Sequence, residues 1–255
     1  MVGYSSITVA RGGYVMASPQ FKDCNAVADV SDFNACVKVD ATALDYADYD
    51  LPDFPAIWIK DGPTSSVYTK KFYYFWDSEE DDVPAGWWDR LENAPTASDA
   101  LALGAGCWLV IPDDDTLYPK DAYTFTFNGA VADTTAPISI PVVNGGYIMT
   151  ANPFPVPLQF SKITVSPGVP CLDYADYDLP DFPAIWIKDG DTSAIYTKKF
   201  YYFWDSDEED VPAGWWDRLE NAQTAADYIP VGKAFWVVIP DGCLPDDKQT
   251  FTFAF

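Results

Sequence analysis

One stretch of this sequence occurs twice, and that repeat constrains the fold more than any other feature. Residues 44–94 read LDYADYDLPDFPAIWIKDGPTSSVYTKKFYYFWDSEEDDVPAGWWDRLENA, and residues 172–222 repeat them at a constant offset. The copies differ at these pairs: Pro63/Asp191, Ser66/Ala194, Val67/Ile195, Glu79/Asp207 and Asp81/Glu209. Because the period is close to the usual size of a domain, the chain is expected to contain two copies of one folding unit.

Shorter matches extend the repeat beyond the near-identical stretch. The segments GGYVM, WLVIP and TFTF of the first half correspond to GGYIM, WVVIP and TFTF of the second. All 10 tryptophans fall at equivalent places in the two halves. The sequence therefore predicts two tandem domains, residues 1–132 and residues 133–255.

The local pattern of the chain predicts short strands throughout. Segments rich in β-branched and aromatic residues are separated by turns among 21 prolines and 15 glycines, and no segment keeps a helical period. Strands are predicted at residues 4–10, 13–21, 56–60, 67–76, 107–111 and 123–127, with residues 87–91 as either a helical turn or a strand end. This pattern favours an all-β fold, with two tandem repeated β-sandwich or barrel-like domains.

The charge of the chain excludes some partners. Its formal net charge is −24, and residues 44–94 and 172–222 together carry most of the excess of acidic residues. Nucleic-acid binding requires a basic surface, and an anionic membrane surface would repel this protein. No apolar run is long enough to insert into a membrane. Acidic side chains on a solvated surface would explain the charge without any ligand.

The absence of histidine argues against an enzyme. Without histidine the chain lacks Ser-His-Asp and Cys-His catalysis and the usual zinc sites, and it has no phosphate-binding glycine motif. A pair of carboxylates could still hydrolyse glycosidic bonds, but nothing in the sequence singles out such a pair. We therefore expect no catalytic activity and no catalytic residues, with a glycoside-acting enzyme as a remote alternative.

The repeated segment DYADYDLPD suggests one cofactor, Ca²⁺. Calcium binds six to eight oxygen atoms, usually from carboxylates and carbonyls of a loop. The segment lacks the central glycine and the final glutamate of an EF-hand, and a charged turn in water is the simpler interpretation. The candidate calcium ligands are Asp45, Asp48, Asp50 and Asp53, with their equivalents Asp173, Asp176, Asp178 and Asp181.

The aromatic residues near these acids allow two interpretations. They could pack the core, since large aromatics dominate the energetics of small β cores. They could instead be partly exposed and form a sugar-binding platform or an interface between copies or subunits. The candidates are Trp87, Trp88, Tyr46 and Tyr49, with their equivalents Trp215, Trp216, Tyr174 and Tyr177.

The five cysteines are compatible with disulfides in an oxidising compartment. Cys24 and Cys36 lie in a segment of the first half without a close match in the second, and Cys171 and Cys243 both lie in the second half. These four are the disulfide candidates. Cys107 is replaced by Phe235 in the other half, so we expect a buried free thiol there; five unpaired buried thiols remain the alternative.

Several segments carry a resemblance to a family. VGYSSITVARGGYVMASPQF, GGYIMTANPFPVPL, FPAIWIKDG, VGKAFWVVIPD and TFTFAF resemble uncharacterised secreted bacterial β-repeat proteins, in which a VGY start and GYxMxANPF and GxxFW motifs recur. The resemblance implies export and an all-β fold, and it implies no catalytic residues. The first half departs from the pattern, since SPQF stands where the second half has NPF.

These observations together predict a non-enzymatic bacterial protein, secreted or attached to the cell surface in a mature form without a signal peptide. Its predicted role is structural, as part of a self-assembling layer or filament, with other copies or other surface proteins as partners. The alternative is a carbohydrate-binding protein that uses the repeated aromatic and acidic face to bind a glycan.

Overall fold

The computed structural model is all-β. It describes residues 2–18, 36–59, 70–79, 83–89, 104–130, 138–142, 145–152, 154–165, 173–176, 178–188, 198–204, 206, 213–217, 228–241 and 249–253. In this part of the chain no helix is long and apolar enough to cross a membrane. The predicted boundary between residues 132 and 133 lies outside the described residues, so the division into two domains stays a prediction.

The strands of the first half largely follow the sequence pattern. They are β1 (Val2–Ala10), β2 (Tyr14–Ala17), β3 (Val37–Val39), β4 (Leu44–Asp45), β5 (Ala56–Ile59), β6 (Lys70–Asp77), β7 (Val83–Asp89), β8 (Cys107–Val110) and β9 (Ala122–Ala130). Trp87 and Trp88 lie in a strand and not in a helical turn, and this strand begins at Val83, earlier than the predicted residues 87–91.

The second half supplies the remaining strands. They are β10 (Ile138–Val142), β11 (Tyr147–Ala151), β12 (Leu158–Gln159), β13 (Ile163–Val165), β14 (Ala184–Ile187), β15 (Lys198–Phe203), β16 (Gly214–Asp217), β17 (Tyr228–Ile229), β18 (Ala234–Val238) and β19 (Gln249–Phe253). Short 3-10 turns lie at Leu51–Asp53, Phe160–Lys162 and Leu179–Asp181.

The larger sheets of the two halves have corresponding strand orders. In the first half the order is β2-β8-β5-β6, with β7 antiparallel to β6 and β4 joined to β6 by a short parallel pairing. In the second half the order is β11-β18-β14-β15-β16. The register also corresponds, since Ala56 pairs with Tyr73 and Ala184 pairs with Tyr201. The repeated sequence therefore adopts the same strand pairing twice.

Each larger sheet packs against a smaller sheet of three strands. The smaller sheets have the orders β1-β9-β3 and β10-β19-β13. In the first half, Ile57 and Leu109 of the larger sheet share one buried cluster with Val9 and Phe125 of the smaller sheet. In the second half, Ile185 of the larger sheet and Ile163 of the smaller sheet share another. Since strand side chains alternate between faces, each core uses one face of each sheet.

Buried tryptophans join the two layers in both halves. The indole nitrogen of Trp87 donates a hydrogen bond to the Val37 carbonyl at 2.9 Å, from the larger sheet to the edge strand of the smaller one. Trp215 does the same to the Ile163 carbonyl at 3.0 Å. A buried indole N–H usually needs such a partner. These bonds fix the position of β3 and β13 against the larger sheets.

The outer faces of the two larger sheets pack against each other. A third apolar cluster contains residues of both halves on the face opposite the cores: Met16, Trp108, Met149, Ala151, Ala234 and Trp236, with Tyr14, Trp58, Val110, Tyr147, Trp186 and Val238 packed around them. We call this cluster the interface between the halves. Most members form equivalent pairs, and the edge contact of Tyr14 with Trp108 (5.3 Å) is reproduced by Tyr147 with Trp236 (5.4 Å).

Backbone contacts give this interface an approximate two-fold relation. Ala17 forms a bridge with Lys233, and the corresponding residues of the opposite halves, Thr150 and Ala105, form another. Lys188, which is 1% exposed, also crosses the interface: its ammonium group donates a hydrogen bond to the Tyr14 carbonyl at 3.1 Å and lies 4.6 Å from the centre of the Tyr14 ring. The halves therefore meet through matching surfaces, as in an isologous contact.

One glycine is required by this close approach. A Cβ on Gly106 would collide with the Met149 side chain across the interface. The Gly106 amide also donates to the Met149 carbonyl at 3.2 Å. Glycine allows a backbone to approach another element where a side chain would not fit.

Two of the five cysteines, Cys36 and Cys107, lie in the described residues. Cys107 is buried, as predicted, and burial raises the pKa of its thiol to about 12. Cys36 is half-buried beside the first core. Cys24, Cys171 and Cys243 lie outside the described residues, so both proposed disulfides stay predictions.

Candidate functional site

The repeated acidic loop DYADYDLPD packs on the outer face of each larger sheet through its first tyrosine. In the first half it begins at β4, where the amide of Tyr46 donates to the Trp76 carbonyl at 2.8 Å. In the second half the amide of Tyr174 donates to the Trp204 carbonyl at the same distance. The loop is therefore attached to the end of its sheet by backbone pairing.

Aromatic stacking holds the acidic loop on the sheet. Tyr46 stacks on Phe75 with ring centroids 4.7 Å apart, and Phe54 at the other end of the loop packs on Phe75 at 5.2 Å. In the second half Tyr174 stacks on Phe203 at 4.8 Å. Because one face of each tyrosine ring is covered by a phenylalanine, Tyr46 and Tyr174 serve mainly to anchor the loop.

The first aspartate of the loop binds backbone amides. Asp45 Oδ1 accepts hydrogen bonds from the amides of Ala47 (3.2 Å) and Ser78 (3.1 Å). A hydrogen bond from the Ser78 side chain, followed by these amides, lowers the pKa of Asp45 although desolvation opposes the charged form. The carboxylate thus joins the acidic loop to the segment that follows β6.

Its equivalent in the second half has the same role. Asp173 Oδ1 accepts from the amides of Ala175 (3.1 Å) and Ser206 (3.0 Å). Desolvation raises the pKa of Asp173, but the hydrogen bonds from Ser206 and Ala175 outweigh it and the pKa is lowered overall. Both halves therefore use this aspartate as a loop anchor.

The last aspartate of the loop closes a 3-10 turn. Asp53 Oδ2 accepts from the Asp50 amide at 3.2 Å, and Asp181 Oδ2 accepts from the Asp178 amide at 3.2 Å. Such reciprocal contacts stabilise the first turn of a helix. This local bonding accounts for the spacing of Asp50 and Asp53, and of their equivalents, without a metal ion.

An open cleft of about 1030 Å³ lies along the loop of the first half. Its walls contain Tyr49 and carboxylates on both sides: Asp48, Asp50, Asp53, Asp77 and Glu79. Asp77 is buried, and its Oδ1 accepts from the Glu79 amide at 2.8 Å. The cleft is strongly negative, so it would favour a cation or a basic group over any anion.

The predicted calcium ligands do not come together as a metal site. In the described part of the chain, no three acidic, histidine or cysteine side chains are arranged to hold a metal ion. Asp45, Asp53, Asp173 and Asp181 bind backbone amides. The remaining candidates, Asp48, Asp50, Asp176 and Asp178, are exposed. Calcium binding stays a prediction without geometric support.

Three of the four tryptophans proposed for a sugar platform or an interface are buried, which is the position expected of core residues. Trp87 and Trp215 are buried in the two cores and donate to backbone carbonyls. Trp216 is buried against Phe203 on the opposite face of its sheet, and Trp88 is half-buried against Phe75. Adjacent strand residues point to opposite faces, so one indole of each pair enters the core and the other lies beside the acidic loop. Tyr177 lies outside the described residues.

The exposed tryptophans of the described residues are different ones. Trp76 and Trp204, at equivalent positions, are each 38% exposed. They lie at the ends of β6 and β15, where their carbonyls accept hydrogen bonds from the acidic loops. In the first half the register of β6 and β7 shifts between Phe75 and Asp77, which leaves Trp76 at an irregular position. Trp76 lies between the buried residues Phe75 and Asp77, and its exposure depends on which elements cover the strand end, which sequence alternation alone does not show.

Comparison with known proteins finds no matching family model, no matching curated protein and no matching solved structure. The described residues form an all-β protein with several sheets and an acidic loop on each larger sheet.

Proposed function

We propose that this chain is a non-enzymatic structural protein, exported to the cell surface or beyond, where it self-assembles into a layer or filament. The observation that carries the proposal is the interface between the halves. There, two surfaces of almost the same sequence bury tryptophan, tyrosine and methionine against each other. A fold whose outer face packs against its own copy is suited to association with further copies.

The chemistry of the acidic loops agrees with a structural role. Their anchoring aspartates accept hydrogen bonds from backbone amides and so stabilise the loops. Glycoside hydrolysis would require two carboxylates placed on opposite sides of a bound sugar, with one of them kept protonated. The pKa values of Asp45 and Asp173 are lowered, which disfavours either as the protonated acid.

Light scattering on the purified chain tests the proposal. The particle mass is measured over a wide range of protein concentration, with calcium and then with a chelator. Assembly should also increase with salt, because salt screens the repulsion between chains of net charge −24. Large particles in both solutions support assembly without calcium, and particles that shrink in chelator support a calcium-linked assembly. A particle of one chain under every condition would refute the proposal.

Carbohydrate binding is a second candidate, favoured by the exposure of Trp76 and Trp204 beside the acidic loops. Aromatic faces and carboxylates are both common in sugar-binding sites, and such a protein would use these residues instead of Trp87 or Trp88. Binding to a glycan array should then be lost on Trp76→Ala combined with Trp204→Ala, and kept on Trp88→Phe. Unchanged binding in the double variant would exclude this site.

A further inference from the structure

We infer that the chain associates with a second copy of itself through one exposed apolar patch of the second half. The inference rests on the proposed self-assembly and names the contact surface. The patch is formed by two short neighbouring segments, and its exposed members are Pro155, Val156, Pro157, Tyr228, Pro230 and Val231. We call these residues the proline-valine patch.

The patch contains most of the large apolar side chains that are exposed in the described residues. Val156 is 43% exposed, Tyr228 53% and Val231 41%, and only Trp76 and Trp204 accompany them in this group. None of the six patch residues is charged, in a chain of net charge −24. An exposed cluster of this kind on an otherwise polar surface is typical of an interaction site.

The patch is built on a rigid support. Leu158 pairs with Ile229, which brings the two segments side by side. The Asn152 side chain is fully buried and connects them, since its Nδ2 donates to the Val156 carbonyl at 2.7 Å and to the Ile229 carbonyl at 3.3 Å. Its Oδ1 accepts from the Phe154 amide at 3.0 Å. A surface held in this way loses little conformational entropy on binding.

Continuity with the interface between the halves indicates the occupant. The backbone amide of Asn152 donates to the Lys233 carbonyl at 3.3 Å, and Lys233 forms a β-bridge with Ala17 of the other half. Ala151 and Ala234, the chain neighbours of these residues, belong to the interface itself. The patch therefore extends a surface on which this fold already packs against its own copy.

The negative charge of the chain also favours association through an uncharged surface. Two molecules of net charge −24 repel each other, and the repulsion is strongest where acidic loops face each other. Contact through the proline-valine patch buries apolar area, and the patch itself contributes no carboxylate to the contact. Equivalent patches of two chains meet about a two-fold axis in this association.

A charge-insertion variant tests the inference. Val156→Asp combined with Val231→Asp places two carboxylates in the patch, and the matched control Ser161→Asp combined with Ala175→Asp adds the same charge at exposed positions of the same half. Each valine buried at a contact contributes about tenfold or more to the association constant. The association constant of the patch variant should fall about a hundredfold or more, while that of the control stays within a few-fold of the unchanged chain.

The outcomes separate the inference from the proposed function. If the unchanged chain and both variants assemble equally, the patch is not the contact and the inference fails while self-assembly stands. If the unchanged chain remains a single-chain particle, both fail. A circular dichroism spectrum equal to that of the unchanged chain shows that a variant is folded. Should the charged variant unfold, Tyr228→Ser, at a more exposed side chain, takes its place with the same expected direction.

A photo-crosslink provides an independent test. With benzoylphenylalanine in place of Tyr228, a crosslinked dimer should form whose linked peptides contain residues 154–159 or 228–231 of the second chain. The same probe at Ser161 should give much less dimer. Links from position 228 only to distant peptides would overturn the patch-to-patch contact.

Discussion

The hydrogen bond of Trp87 to the Val37 carbonyl gives a prediction that separates the two members of the WW pair. Trp87→Phe removes the indole donor at 2.9 Å and leaves a smaller ring in a fully buried site. Trp88→Phe is the matched control, because the Trp88 indole nitrogen is buried without a hydrogen-bond partner. The two changes are chemically identical and lie next to each other on one strand.

The magnitudes follow from these surroundings. Loss of ring volume at a buried site costs about 1–2 kcal/mol of the free energy of unfolding. A buried carbonyl that loses its donor costs about 1–3 kcal/mol more. Trp87→Phe should therefore cost about 2–5 kcal/mol. Trp88→Phe should cost about 1–2 kcal/mol at most, since it also removes an unsatisfied donor.

Urea denaturation followed by far-ultraviolet circular dichroism measures both costs. This signal is preferable to fluorescence, because the substitutions remove a fluorophore. The comparison uses the first unfolding transition if more than one is seen. Trp215→Phe and Trp216→Phe repeat the experiment in the second half, where Trp215 donates to the Ile163 carbonyl at 3.0 Å. Equal losses within each pair would refute the assigned role of the hydrogen bond.

Further predictions concern the interface, the acidic loop and the cysteine. Gly106→Ala should lower the free energy of unfolding by about 1–3 kcal/mol, because its Cβ collides with Met149, and denaturation measures this. The lowered pKa of Asp45 contributes stability that is fully present above its unfolded value, and is lost as the pH falls below about 4 through the folded value. Asp45→Asn should therefore reduce the acid dependence of stability, and an unchanged pH profile would contradict this. The Cys107 thiol, with its pKa raised to about 12, should resist alkylation at neutral pH until the chain unfolds, as peptide mass spectrometry would reveal. Labelling at the same rate in native and unfolded protein would argue against its burial.

Much of the fold was predictable because strand patterns are local. The alternation of residues 123–127 predicts β9, and Tyr123, Phe125 and Phe127 are buried as that alternation requires. The strand predicted at residues 56–60 is observed at Ala56–Ile59. The repeat predicted that equivalent segments would pair in the same way, and the described strands do so.

The site was harder to predict because its contacts are distant in the chain. Nothing near Trp87 indicates that its indole donates to a carbonyl 50 positions earlier. The aspartates of the repeated loop have the chemistry of calcium ligands, yet Asp45 and Asp53 bind amides of the loop and of the segment after β6. Composition shows which groups are present, and only the folded backbone shows which partners they reach.

The matching surfaces of the two halves have a consequence for how this interface responds to dilution. Two separate chains that meet through such a surface dissociate as their concentration falls, whereas a linker holds the partners at an effective concentration near the millimolar range. The contact formed by Trp108 and Trp236 should thus persist in solutions too dilute for any contact between chains. A covalent connection also lets the two sides of the interface diverge in sequence. Gly106 lies against Met149, whereas the equivalent residue of the second half is Ala234. Because both surfaces belong to one chain, this contact does not depend on protein concentration.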